Sequence, residues 1–200
     1  IVMGQQQTEG TAEELARPFI NPELGVNTDE EALSGAQDII AEIISDNAEY
    51  REKIRSIYFK EGIVRSKATD SEEKTVYEMY YDFKEPVQKI ANHRILAINR
   101  GEKEKKLKMS ISVPDDEIIA YIKKQVIFNE RAVTTQTLEK AIVDSYDRLI
   151  APSIEREVWA ALTERAQEDA IKVFARNTKA LLMTPPVKEV RVLAIDPGYR

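Results

Sequence analysis

Apolar positions along the chain fall into short stripes bounded by capping and breaking residues, and most stripes step by three or four. Thr11 stands three residues before Glu14, the pairing of a capping box, so a short helix is expected over 11–17, stopped by Pro18 and Pro22. A second box begins at Thr28, three before Glu31, and Leu33, Ala36, Ile39, Ile40, Ile43 and Ile44 follow on one helical face. Asp46 or Asn47 caps a third helix bearing Tyr50, Ile54, Ile57 and Tyr58, with Gly62 where a left-handed residue closes a helix. A polar stretch over 68–74 reads as a mobile loop. Tyr77, Tyr80 and Tyr81 then predict a helix over 75–83, ended by Glu85-Pro86, with the aromatic rings in the core rather than on a stacking platform.

Between His93 and Val113 the period changes. Ile95-Leu96-Ala97-Ile98 is followed by a polar stretch around Gly101, and Leu107, Met109, Ile111 and Val113 then alternate with polar residues, so 93–113 reads as a β-hairpin. Its second strand has an apolar face, leaving Lys106, Lys108, Ser110 and Ser112 toward water. Pro114-Asp115-Asp116 opens a helix to Val126, and Thr134 to Thr137 offer caps for another to Ile150. Pro152-Ser153 starts the longest, from about 154 to 182, striped by Val158, Leu162, Ala166, Ala170, Val173 and Leu181 and ended by Pro185-Pro186. Residues 190–195 read as a short apolar strand leading into Asp196-Pro197-Gly198. A lone strand leaves its amides and carbonyls unpaired, so the sequence reads as a piece cut from a longer polypeptide.

Composition narrows the chemistry. The 200 residues contain no cysteine and one histidine, which removes disulfide frameworks, thiolate zinc sites, iron–sulfur clusters and a Cys nucleophile. No window is apolar enough to cross a bilayer, and the first ten residues have neither a basic nor an apolar leader segment, so a non-exported chain is expected. The formal net charge of −6 hides a segregation: eleven carboxylates lie between Glu9 and Tyr50 against Arg17 alone. Everything after Tyr50 therefore has a positive balance, and a polyanion meets that later part first.

Two features carry candidate chemistry. Arg94 on one side and Arg100, Lys103, Lys105, Lys106 and Lys108 on the other bracket the first strand of the expected hairpin and are candidate phosphate contacts, competing with the plainer reading of a charged edge that discourages strand pairing. No aromatic residue lies between Arg94 and Lys108, which argues against base stacking there. Asp196, at the end of a hydrophobic strand, is a remote candidate for holding a divalent metal; one carboxylate is not a site, and a turn-forming Asp is the plainer reading. His93 has no evident Ser or Asp partner. Gly-rich phosphate loops and the HExxH and GxSxG motifs are missing from the sequence.

Several runs together resemble the Tex family of bacterial transcription accessory proteins: residues 16–21 (ARPFIN), 36–42 (AQDIIAE), 93–104 (HRILAINRGEKE), 149–157 (LIAPSIERE) and 192–200 (VLAIDPGYR). The resemblance implies a cytoplasmic, multidomain nucleic-acid-binding protein. It also implies a YqgF domain of RNase H type beginning near residue 187, and helix-hairpin-helix and S1 modules beyond this chain. Asp196 matches the first carboxylate position of the resolvase-like pattern, in a family regarded as lacking a complete nuclease set.

The expectation is thus a mostly α, α+β segment: helical over 1–92 and 114–186, with one hairpin at 93–113 and the first strand of a truncated domain at 187–200. It is expected to be a non-enzymatic scaffold needing no cofactor, membrane or small-molecule substrate. Its partner is RNA or DNA bound by the full-length protein, with the transcription machinery as a further partner. The alternatives are part of a metal-dependent nuclease centred on Asp196, or a protein-docking module.

Overall fold

A computed structural model describes residues 1–185, 188, 191, 193–196 and 198. The architecture is α+β and mostly α, with one three-stranded antiparallel sheet against a helical core. Helix α1 (Ala12–Ala16) begins with the expected capping box: the Thr11 hydroxyl accepts the Glu14 amide and the Glu14 carboxylate accepts the Thr11 amide. Helix α2 (Asp29–Ser45) uses half of its box. Thr28 accepts the Glu31 amide, while the Glu31 carboxylate reaches one residue further back to the amide of Asn27. Asn47 caps α3 (Ala48–Glu61) by accepting from Glu49 and Tyr50.

At Gly62 the expectation of a left-handed residue fails: φ is −62° and the chain runs straight into strand β1 (Ile63–Ala68). Glycine is needed there for space, because a Cβ would collide with the Tyr58 carbonyl and come within 3.0 Å of both Ile111 and Val87. The helix expected over 75–83 is replaced by a single 3₁₀ turn (Glu78–Tyr80) and strand β2 (Asp82–Pro86). Tyr77 and Tyr80 are nonetheless in the core.

The hairpin at 93–113 also needs correction. Its second half is strand β3 (Leu107–Ser112), with the expected parity, but its first half is helix α4 (Asn92–Lys103). Ile95 and Ile98 are fully buried and Gly101 continues their stripe, a helical spacing that four consecutive apolar residues conceal. Gly101 lies inside the helix and lets it approach Leu107, rather than making a turn. Helix α4 ends in a Schellman motif in which Lys105, at φ 59°, takes the left-handed position usually given to glycine; the Lys106 amide donates to the Gly101 carbonyl.

The sheet order is β2-β1-β3, so the partner of β3 is β1, a strand from the region expected to be entirely helical. Strand β1 gave little signal because its inward residues are Val64, Ser66 and Ala68, only one of them large and apolar. Strand β2 is equally quiet, turning Phe83 and Glu85 inward and ending in a proline at the sheet edge.

Helices α5 (Asp115–Val126), α6 (Thr135–Asp144) and α7 (Ala151–Leu182) complete the core. The expected break before Pro152 is instead a π-helical stretch (Ser145–Ile150), through which helical backbone continues from α6 into α7. A proline has no amide to donate and its ring crowds the carbonyl four residues back, and a wider π turn accommodates both effects. The stretch is anchored: the Ser145 hydroxyl donates to the Ala41 carbonyl at 2.8 Å, and the buried Tyr146 hydroxyl donates to Asp115 at 2.5 Å. Burial, then the Asp115 carboxylate, pushes the Tyr146 hydroxyl pKa far up, so it remains a donor.

Helix α2 packs on α6 and the π stretch, and both α3 and α4 pack on α7. Ile154, Val158, Leu162 and Ala166 bury the first half of α7, whereas Ile171, Phe174, Leu181 and Leu182 in its second half are exposed. The strand expected at 190–195 includes Val190 and Val192, outside the described residues. Arg191 and 193–196 belong to no strand. None of the described helices is long and apolar enough to cross a membrane.

Candidate nucleic-acid interface

The six basic residues singled out in the sequence have different surroundings. Arg94, near the start of α4, donates to Glu85 at 2.8 Å and lies 5.7 Å over the Phe83 ring, so its charge joins the helix to β2. Lys106 donates to both oxygens of Glu73 at 2.6 and 2.8 Å, and that carboxylate raises the lysine pKa. These two cations are committed within the molecule. Arg100, Lys103 and Lys105 are exposed at the C-terminal end of α4, where the helix dipole favours positive charge. Lys108 is separated from them by the turn and stands on the outer face of the sheet.

That face is set by strand register. Arg65 lies opposite Lys84 on one side and Ser110 on the other; Lys67 lies opposite Asp82 and Lys108. Residues directly opposite share a face, so Arg65, Lys67, Lys84, Lys108, Ser110 and Asp82 form one surface. Asp82 is its one carboxylate, 3.7 Å from Lys84, and both side chains are more than half exposed. The inward face carries Val64, Phe83, Leu107 and Ile111 against the core.

Edge strand β3 is closed by acids from the helices behind it. The Met109 amide donates to Glu102 of α4 at 2.9 Å, and the Ile111 amide donates to Glu155 of α7 at 2.7 Å. Burial raises the Glu155 carboxyl pKa, while the Ile111 amide pulls it back down. Two edge donors are thus satisfied without a fourth strand. On the far side of α7, Glu157 receives Arg51 at 2.7 Å and Arg55 at 2.6 Å, fixing α3 to α7.

Asp196 is exposed and accepts the Gly198 amide at 2.9 Å, the arrangement of a turn-forming aspartate. Among the described residues no group of three or more Asp, Glu or His side chains is arranged to hold a metal. His93 lies exposed in the first turn of α4. The Arg65 and Lys67 contributions were missed because β1 itself was missed; their signal is the alternation of Val64, Ser66 and Ala68 with charged residues.

The chain matches the Tex central region-like family over residues 7–174. It is 48% identical over 188 residues to the YdcI protein of Bacillus subtilis, covering 92% of this chain and 26% of that protein. It is 34% identical over 179 residues to the transcriptional accessory protein Tex of Neisseria gonorrhoeae, covering 84% of the chain and 23% of the relative. Similarity extends to the human S1 RNA-binding domain-containing protein 1, at 30% identity over 91% of the chain and 20% of the relative. The chain therefore spans about a quarter or less of the length of these relatives. With more than four-fifths of its residues inside the family match, the chain belongs to the Tex family, whose central region it carries.

Proposed function

We propose that this chain is a non-catalytic helical scaffold within a cytoplasmic nucleic-acid-binding transcription accessory protein, whose RNA or DNA is held mainly by parts outside these 200 residues. The observation that carries the reading is the form of α7. Its first half is locked into the core by Val158, Leu162 and Ala166 and by the Glu157 clamp, while its second half stands clear with Ile171, Phe174 and Leu181 exposed. A rigid helix rooted at one end and apolar at the other presents a fixed face to a neighbouring element. The relatives' names supply the biological setting: transcriptional accessory protein for the gonococcal one, RNA-binding for the human one.

In this reading Arg100, Lys103, Lys105 and Lys108 are the predicted cations free to touch phosphates, each as a point charge or guanidinium fork rather than a base reader. The test compares RNA and DNA affinity of the 200-residue chain with that of a full-length relative such as the B. subtilis protein. The chain alone is expected to bind at least about 100-fold more weakly, because single-face phosphate contacts give only non-specific affinity. Nanomolar binding, or cleavage of a phosphodiester by the chain alone, would contradict the scaffold reading.

A further inference from the structure

We infer that the outer face of the β2-β1-β3 sheet is a docking surface for the phosphodiester backbone of single-stranded nucleic acid, with Arg65, Lys67, Lys84 and Lys108 as the contacting cations. The inference rests on the reading above of a nucleic-acid-binding protein and assigns a surface to it.

The first support is a violated rule of sheet construction. Like charges directly across a strand pair are destabilising, yet two such pairs share this face, Arg65 opposite Lys84 and Lys67 opposite Lys108. Lysines at a sheet edge ordinarily guard against unwanted strand pairing, and Lys84 on β2 fits that explanation. Arg65 and Lys67 do not, because β1 is the central strand with both neighbours in place. Lys108 does not fit it either, since the β3 edge is already occupied by Glu102 and Glu155. Removing an edge hazard therefore accounts for one cation of four.

The second support is that internal compensation is partial: one carboxylate, Asp82, lies opposite Lys67, and Glu155 at the β3 edge is within electrostatic reach of Lys108. Among the described residues Asp82 is the one acid in ion-pair reach of these four side chains, and its partner at 3.7 Å is Lys84. The Arg65 Nε is shielded from solvent without a hydrogen-bond partner among the described residues. Ser110 and the half-buried Ser112 flank the cations on β3 with hydroxyl donors of the kind that also bind phosphate oxygens.

Geometry and composition select the ligand. Across three strands the cations form a diagonal track about 12 Å long, taking about 4.8 Å between strands and about 6.7 Å between alternate residues. A track of point charges on a flat surface suits an extended polyanion. The face carries no aromatic side chain, Phe83 being turned to the core, so bases find no stacking platform and binding is indifferent to sequence. Neutralising about three phosphates gives a log–log salt slope of about −2, or about a 20-fold loss of affinity between 50 and 200 mM salt.

The experiment uses the 200-residue chain with labelled 20-nucleotide single strands of RNA and DNA, read by fluorescence anisotropy across 50–200 mM KCl. The variant Lys67→Gln/Lys84→Gln/Lys108→Gln is expected to bind about tenfold or more weakly at 50 mM salt and to lose most of the salt slope. Arg100→Gln/Lys103→Gln/Lys105→Gln, at the end of α4, is expected to have the smaller effect. Circular dichroism verifies the fold, and Lys67→Gln and Lys108→Gln alone give the same direction if the triple variant is unfolded. Wild-type binding by the sheet variant overturns the inference, as does a loss confined to the α4 variant. A chain that binds neither strand overturns it too, while leaving the scaffold reading intact. Polyglutamate bound as tightly as RNA overturns the choice of nucleic acid as the ligand.

Discussion

Replacing Gly101 with alanine sets two opposing effects against each other at the junction that presents the sheet. In an exposed helix interior the change stabilises by about 0.8–1 kcal/mol, because alanine has the higher helix propensity. At Gly101 the new Cβ would lie 2.5 Å from Leu107 Cδ1 and 2.8 Å from its Cγ. Comfortable carbon–carbon contact begins near about 3.5 Å, so Leu107 must leave its rotamer or α4 must move off β3 by about 1 Å. Overpacking of this kind costs about 1–3 kcal/mol, and Leu107 is only 4% exposed, with little room to give way. The clash wins, and we expect Gly101→Ala to destabilise by about 1–2 kcal/mol. The assay is urea unfolding followed by Trp159 fluorescence, reading a lower midpoint at unchanged slope. The decisive comparison is with Leu107→Ala, which costs about 2–5 kcal/mol alone but removes the two nearest atoms, leaving the Leu107 Cβ at 3.3 Å. In that background Gly101→Ala should become neutral or stabilising, giving a coupling of about 2 kcal/mol. Equal destabilisation in both backgrounds would refute the close approach of α4 to β3.

Three further outcomes test other joints of the molecule. Arg55, and then Arg51, hold the Glu157 carboxyl below its ordinary 4.5, so its contribution is present above that pH and is lost as pH falls through the lower folded value. Solvent screening limits it to about 1 kcal/mol, so Glu157→Gln should lower the melting temperature at pH 7, with the gap to wild type closing below pH 4; a gap that persists in acid would mean the pair is not the cause. The Asn99 carboxamide oxygen accepts the Trp159 indole N–H at 2.8 Å while its nitrogen donates to Thr163 at 2.9 Å, joining α4 to α7. Asn99→Ala should cost about 1–2 kcal/mol and change the tryptophan emission, and an unchanged spectrum would count against the bond. Gln5 is 2% exposed; its side chain donates to the Val126 carbonyl and accepts the amides of Phe128 and Asn129. Gln5→Ala strands those groups, so a loss of about 2 kcal/mol or more is expected, with faster proteolysis between α5 and α6; unaltered protection would refute the tie.

Elements with a local start signal were legible. Thr11 and Thr28 cap where their spacing said they would, and of the two candidates Asp46 and Asn47 it is Asn47 that caps α3, because an N-cap hydrogen bond spans two or three residues and needs no tertiary context. The outward lysine and serines of β3 were legible from parity alone. Helix α4 was not, because its N-cap residue, Ala91, has no side-chain hydrogen bond to offer and its densest apolar run is only four residues long. Strands β1 and β2 were hidden for another reason: their inward positions include Ser66 and Glu85, and the burial of Glu85 becomes acceptable only once Arg94 arrives from α4. Losing β1 dispersed the candidate site. Four of the six predicted cations end at or within α4, two of the six are consumed by Glu85 and Glu73, and the sheet surface draws on residues from before and after that helix. Gln5 gave no warning either, since nothing within a polar QQQ run distinguishes the one side chain that is buried.

Amine-reactive footprinting tests most directly whether strand register has assembled a phosphate-binding face. The 200-residue chain is labelled with and without saturating single-stranded RNA, and each lysine is read by mass spectrometry. Lys67, Lys84 and Lys108 are expected to be protected together, with Lys172 and Lys179 on the projecting end of α7 labelled as before. Protection confined to Lys103 and Lys105, or spread evenly over every lysine, would contradict such a face.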